Sequence, residues 1–272
     1  MDCLGIKLSA IEARRYTPEV SSGVTEDFSA SVSFLKLDKL DDKDAAIEFR
    51  YSISYIKSGA IAFTGTVNIR NKADEQERLF FYWNEHHDIP AELKEFIEGI
   101  VREQCTAEAV SLALLVHLPL PLKEKIPHYT LNSKFKLSLI DAKRFSKHDE
   151  KFPSIQIGHG TSISQIMSVS SEAVSIEFRY TVTFTNMGIL NIEGHYIYEC
   201  DVSALTQTWL DSKKLEPKES ENIINSILAY GSFLAISLCR KIELPYPVKV
   251  ETPKIKAEGP VKPSEPPGIE VT

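Results

Sequence analysis

A chain of 272 residues with 43% hydrophobic and 25% charged side chains has the composition of an ordinary globular protein, one large domain or two average ones. Its net charge of −7 argues against a basic nucleic-acid or anionic-membrane binder, which needs clustered Lys and Arg. Four cysteines (Cys3, Cys105, Cys200 and Cys239) with no C-x-x-C spacing argue against a disulfide framework and read as free, mostly buried thiols in a reducing compartment.

The chain opens without a basic, apolar leader and holds no uninterrupted run long enough to span a bilayer, so a soluble, cytoplasmic protein with no membrane insertion is expected. The dominant signal is an internal repeat. Lys7-Leu-Ser-Ala-Ile-Glu-Ala-Arg-Arg-Tyr16 aligns with Lys136-Leu-Ser-Leu-Ile-Asp-Ala-Lys-Arg-Phe145, and Ile47-Glu-Phe-Arg-Tyr51 with Ile176-Glu-Phe-Arg-Tyr180, both 129 residues apart. At a spacing of 126, Trp83 matches Trp209 and Leu118-Pro-Leu-Pro121 matches Leu244-Pro-Tyr-Pro247. The three lost residues fall opposite Thr66–Tyr82, a stretch that includes Asn71–Arg78, whose polar composition reads as an exposed loop. The repeat divides the chain into a first copy at 1–124, a second at 125–250 and a proline-rich tail at 251–272 that reads as disordered or extended.

Within each copy two strand-like stretches come first, at about 3–16 and 26–38, and at about 131–145 and 155–169. Gly158-His-Gly160-Thr161 reads as a turn between strands. A hairpin follows. Ile47, Phe49, Tyr51, Ile53 and Tyr55 alternate with polar residues, as do Ile176, Phe178, Tyr180, Val182 and Phe184; period two with one polar face predicts antiparallel strands. Turns at Lys57–Gly59 and Asn186–Gly188 lead to second alternating strands carrying Gly65 and Gly194, where another element can approach closely. The period then changes. A helix is predicted from about Asp88, with Leu93, Phe96, Ile97, Ile100 and Val101 on its apolar face, and from Pro217 in the second copy, with Ile223, Ile224, Ile227 and Leu228. The expected fold class is α+β: two tandem repeats, each a four-stranded antiparallel sheet followed by a long helix.

Chemistry is sparse. His86-His87-Asp88 has metal-ligand residue types but no second ligand pair and no counterpart in the other copy, so it reads as a solvated loop. The Glu48/Arg50 and Glu177/Arg179 pairs read as cross-strand charge pairing on the solvated face. No nucleophile–base or phosphate-loop spacing is present; the chain is expected to be non-enzymatic and to need no cofactor or metal. The aromatic run Phe80-Phe-Tyr-Trp83 cannot all face one core, and so is a candidate exposed surface.

Four strands, a long helix and a Leu-rich segment running into prolines resemble the SecB family of export chaperones. Tyr230-Gly-Ser-Phe233 leading to Pro245, and the opening strand at Ile6–Tyr16 or Phe135–Phe145, are the local points of likeness. The resemblance implies a SecB-like fold that binds unfolded or export-destined polypeptide, with a translocation or other protein partner. It also implies a homo-oligomer in which two two-domain chains complete a four-domain assembly. The polypeptide-binding surface is assigned to Phe80, Phe81, Tyr82, Trp83, Leu112, Leu114, Leu115, Leu118, Trp209, Phe233, Leu238 and Leu244. Two other readings stand beside it: an adaptor with one specific protein partner, the Leu-Pro-x-Pro segments serving as docking points, and a small-ligand or catalytic site between the copies.

Overall fold

The computed structural model describes residues 2–17, 27–121, 134–150, 152 and 154–247. The tail expected at 251–272 lies outside them. Four strands open the chain: β1 (Asp2–Arg15), β2 (Phe28–Lys39), β3 (Asp44–Tyr55) and β4 (Gly59–Arg70). Helices α1 (Ala73–His86) and α2 (Ala91–Leu115) follow. The same order then recurs as β5 (Phe135–Arg144), β6 (Ile157–Ser168), β7 (Ala173–Phe184), β8 (Gly188–Glu199), α3 (Val202–Ser212) and α4 (Pro217–Lys241).

The strands form one eight-stranded antiparallel sheet in the order β2-β3-β4-β1-β5-β8-β7-β6. This corrects the expectation of two tandem four-stranded sheets. The halves meet where β1 pairs with β5: Ala10 lies opposite Lys143, Glu12 opposite Asp141, and Arg14 opposite Leu139. Shifted by the repeat of 129, Leu139 and Lys143 are the counterparts of Ala10 and Arg14. The junction is therefore a local two-fold centred on Glu12 and Asp141, the self-complementary contact of a homodimer built inside one chain. Alternation identifies which face of a strand is buried; it carries no information about which strand occupies its outer edge.

The junction keeps both apolar faces on one side. Tyr51, Phe63, Ile11, Ala142, Leu190 and Val182 form a single row across the sheet, all of them buried. Helix α2 packs on β1–β4 and α4 on β6–β8, and one continuous core results. The opposite face carries ion pairs: Arg179 Nε donates to Glu193 at 2.7 Å on the neighbouring strand, and Arg50 reaches Glu12 at 3.6 Å, two strands away.

Three local expectations are corrected. Asn71–Arg78 is not a loop, since most of it forms the first two turns of α1; each half has two helices after its strands. The second helix of the first half starts at Ala91 with Pro90 as its cap, and α4 begins at Pro217 as its sequence suggests. Gly158-His-Gly160-Thr161 lies within β6, paired to β7, rather than in a turn. Gly65 and Gly194 do permit a close approach, made in the plane of the sheet. A Cβ there would sit 2.5 Å from the Lys7 carbonyl oxygen and 2.4 Å from that of Lys136, beside the bulges of β1 and β5.

Candidate interaction surface

The structure separates the twelve residues assigned to a binding surface. Leu112, Leu118, Trp209, Leu238 and Leu244 are core residues, buried and unavailable to a ligand. Leu118 and Leu244 fill the space above the hairpin glycines Gly59 and Gly188, where an added Cβ would meet a Leu Cδ2 at 2.7 and 3.0 Å. Tyr55 Oη donates to the Pro119 carbonyl oxygen at 2.6 Å. The leucines that open the Leu-Pro-x-Pro segments are thus packed onto their own hairpins, while Tyr246 stays exposed. The two matched glycines and the two matched Leu-Pro segments are one structural device repeated.

Phe80–Trp83 lies inside α1, where successive side chains are about 100° apart. Leu79 takes the core position, Phe80, Tyr82 and Trp83 are half-buried, and Phe81 is 70% exposed. Tyr82 stacks on His86 at 4.2 Å, and His86 Nδ1 lies 3.1 Å from the Tyr82 carbonyl oxygen. His87 is the left-handed C-cap of α1, and Asp88 pairs with Lys94 at 2.8 Å. Among the described residues no group of three or more His, Cys, Asp or Glu is placed to hold a metal ion.

On α2 the buried stripe is Ile97, Val101, Cys105, Ala109 and Leu112; Leu114 and Leu115 are half-buried, and Phe96 faces outward. On α4 it is Ile223, Ile227, Gly231, Leu234 and Leu238. Gly231 lies directly against the Tyr180 ring, while Tyr230 stacks on Phe135 at 4.1 Å. With its neighbours so fixed, Phe233 must point away from the sheet. It is 73% exposed, and Ile236, one turn on, is exposed too. Their counterparts in the first half are Ala107 and Val110. Helix α4 is long and apolar enough by composition to cross a membrane, with mean hydropathy 1.5, yet only 39% of that window is buried against the sheet. Leu210 on α3 is also exposed. The exposure of Phe96, Leu210 and Ile236 is not legible in the sequence, because helical spacing alone does not say which side of an apolar helix the sheet takes.

Where α2 and α4 converge, Lys241 forms an ion pair with Glu108, and burial pulls the Lys241 ammonium below its ordinary pKa. A small pocket of about 120 Å³ opens between the end of β8 and the start of α4, lined by Cys200, Asp201, Leu205, Leu215 and Glu219. Tyr198 Oη donates to Glu219 at 2.5 Å, and that bond pushes the phenol up to about 12. Burial raises the thiols of Cys105 and Cys239 to about 12 and that of Cys200 in the same direction, so these are neutral thiols rather than thiolate nucleophiles.

No family model matches the chain, and no curated protein matches it. Among solved structures, a crystal structure described as a MaoC domain protein dehydratase from Chloroflexus aurantiacus J-10-fl is similar at 9% identity. It covers 72% of this chain and 76% of that one with a TM-score of 0.24, a likeness too slight to carry an argument about fold or activity. The SecB-like assignment made from sequence is corrected by these findings. No family match sustains it, and the export-chaperone role implied by that likeness is left without its support.

Proposed function

We propose that the chain is an adaptor that docks one protein partner on the outward face of α4. The observation that carries the reading is Phe233: a large aromatic, 73% exposed in mid-helix, beside exposed Ile236, on a helix whose most apolar stretch is mostly uncovered. Large exposed apolar side chains grouped on one surface mark interaction sites, and aromatic anchors dominate their energetics. The duplicated half supports the reading, since it holds Ala107 and Val110 at these positions. The fold therefore does not require an aromatic there.

Placing the photo-crosslinker p-benzoylphenylalanine at position 233 in the native cell tests this. The reading predicts one discrete adduct with a second protein, absent when the crosslinker stands at Ala107. A smear of many adducts would describe a promiscuous surface, an adduct at twice the chain's mass a self-association face, and no adduct an unused surface; each of these contradicts the adaptor reading.

A further inference from the structure

The two halves share one fold, so a space that is open in one and filled in the other is set by side chains and not by architecture. Such a space lies between β6, the end of α3 and the first turns of α4. It is a cavity of about 350 Å³, lined by Thr161 and Ile163 of β6, by Trp209, Lys213 and Lys214 around the end of α3, and by Ile224 of α4. That volume falls in the lower part of the range for small-molecule sites, about 300–1,000 Å³.

The first half closes the corresponding space in three ways. Val32 and Phe34 stand where the second half has Thr161 and Ile163, and both pack on the core. Glu98 and Arg102 stand where the second half has Ile224 and Leu228. They pair at 3.2 Å, and Arg102 Nη1 donates to the Ala30 carbonyl oxygen of β2 at 3.5 Å, a strut from helix to edge strand. The Asp88–Lys94 ion pair stands where the second half has Lys214 and Ser220. In the second half, then, the strut gives way to two aliphatic side chains, phenylalanine to isoleucine, and the ion pair to a lysine and a serine.

We propose that this cavity binds a small organic acid, with its carboxylate at Lys213 and Lys214 and a compact apolar body against Trp209, Ile163 and Ile224. Trp209 is buried and Ile163 and Ile224 are half-buried, whereas both lysines are exposed, so the walls are apolar and the mouth is basic. Lys213 Nζ stands 5.6 Å from the centre of the Trp209 ring, a cation–π contact that holds positive charge beside an apolar wall. Among the described residues no acidic side chain lines the cavity, and no ion pair involves either lysine. Two lysines without an acid call for an anion, and a carboxylate accepts charge-assisted bonds from both. The walls call for an anion that carries carbon, since an inorganic ion would leave the tryptophan and isoleucines uncovered. This site is separate from the face that carries Phe233. Ile224 and Phe233 are nine residues apart on α4, which at about 100° per residue places them on opposite sides of the helix.

Isoleucine-methyl NMR of the full chain tests this, with 4-phenylbutyrate and its uncharged amide as probes. The acid should shift the Ile163 and Ile224 methyls with a Kd below about 1 mM, a range open to a ligand of this size. The amide should bind at least about fivefold more weakly, because it forgoes the charge-assisted bonds. Lys213→Ser with Lys214→Ser should weaken the acid by a similar factor and leave the amide unchanged; both side chains are exposed, so the fold is not at stake. Thr161→Val with Ile163→Phe gives the second half the residues of the first and should abolish the Ile224 shift by either probe, with the remaining methyls in place. The proposal is overturned by an acid that shifts neither methyl, by equal binding of acid and amide, or by lysine variants that bind the acid as tightly as the original chain. Undiminished binding by the folded Thr161→Val, Ile163→Phe chain would overturn it as well.

Discussion

A methyl group added at Gly231 would lie 2.5 Å from the Tyr180 ring, whereas at Gly99 it would meet nothing within 4 Å. Both glycines are in helix interiors, so the same substitution has opposite predicted outcomes. Gly231→Ala pushes α4 off a fully buried tyrosine and should cost about 1–3 kcal/mol. Gly99→Ala removes only backbone freedom and should stabilise by about 0.5–1 kcal/mol. Urea unfolding with unchanged slope measures both. By the same reasoning Phe233→Ser should change stability by less than about 0.5 kcal/mol, because the side chain contributes to surface and not to core; a larger loss would return Phe233 to a structural role. The Tyr230-Gly-Ser-Phe233 run is conspicuous in the sequence, but its meaning is not. Only the position of Tyr180 shows why glycine, then an outward aromatic, stands there.

The strands are largely legible in the sequence because alternation of buried and solvated residues is imposed by one covered face. Helix α1 is not. Only Gln76 and Leu79 of its 14 residues are buried, so Ala73–Arg78 carries no apolar period and reads as loop. Gln76 secures it by donating from Nε2 to the Asp44 carbonyl oxygen at 2.9 Å, a tie that no hydropathy pattern reports. The glycines of β6 read as a turn for a related reason: without side chains they leave a gap in the alternation that marks the other strands. At the far end of the β3–β4 hairpin, Arg70 donates to both Asp44 carboxylate oxygens, at 2.7 and 2.6 Å, and these bonds hold the Asp44 carboxyl below its usual pKa. A folded-state pKa below the unfolded one stabilises the fold above the unfolded value, and that contribution is lost as pH falls through the folded value. Arg70→Gln should therefore lower the unfolding midpoint near about pH 7, and the difference from wild type should vanish in strong acid. A difference that persists there would assign the effect of Arg70 to packing instead.

At the scale of the molecule, the duplication is plain in the sequence and its consequence is not. Matched residues such as Trp83 and Trp209 establish two equivalent halves. Nothing in either half states that the outer edges of β1 and β5 pair with each other. Because they do, the chain has one sheet and one core, and the two halves should unfold in a single transition. The shared frame also frees each half to diverge where packing does not constrain it, as Phe233 against Ala107 illustrates. The most direct test of the continuous sheet is a cross-link at its centre. Glu12 and Asp141 face each other across the junction, and antiparallel partners have Cα atoms about 4.5–5.5 Å apart, within disulfide range. A Glu12→Cys, Asp141→Cys variant should form that disulfide under mild oxidation, as mapped by peptide mass. A Glu48→Cys, Asp141→Cys control, at least three strand spacings or roughly 14 Å apart, should not. If the first pair stays reduced while the protein is folded, the halves do not share a sheet and the account of the fold is wrong.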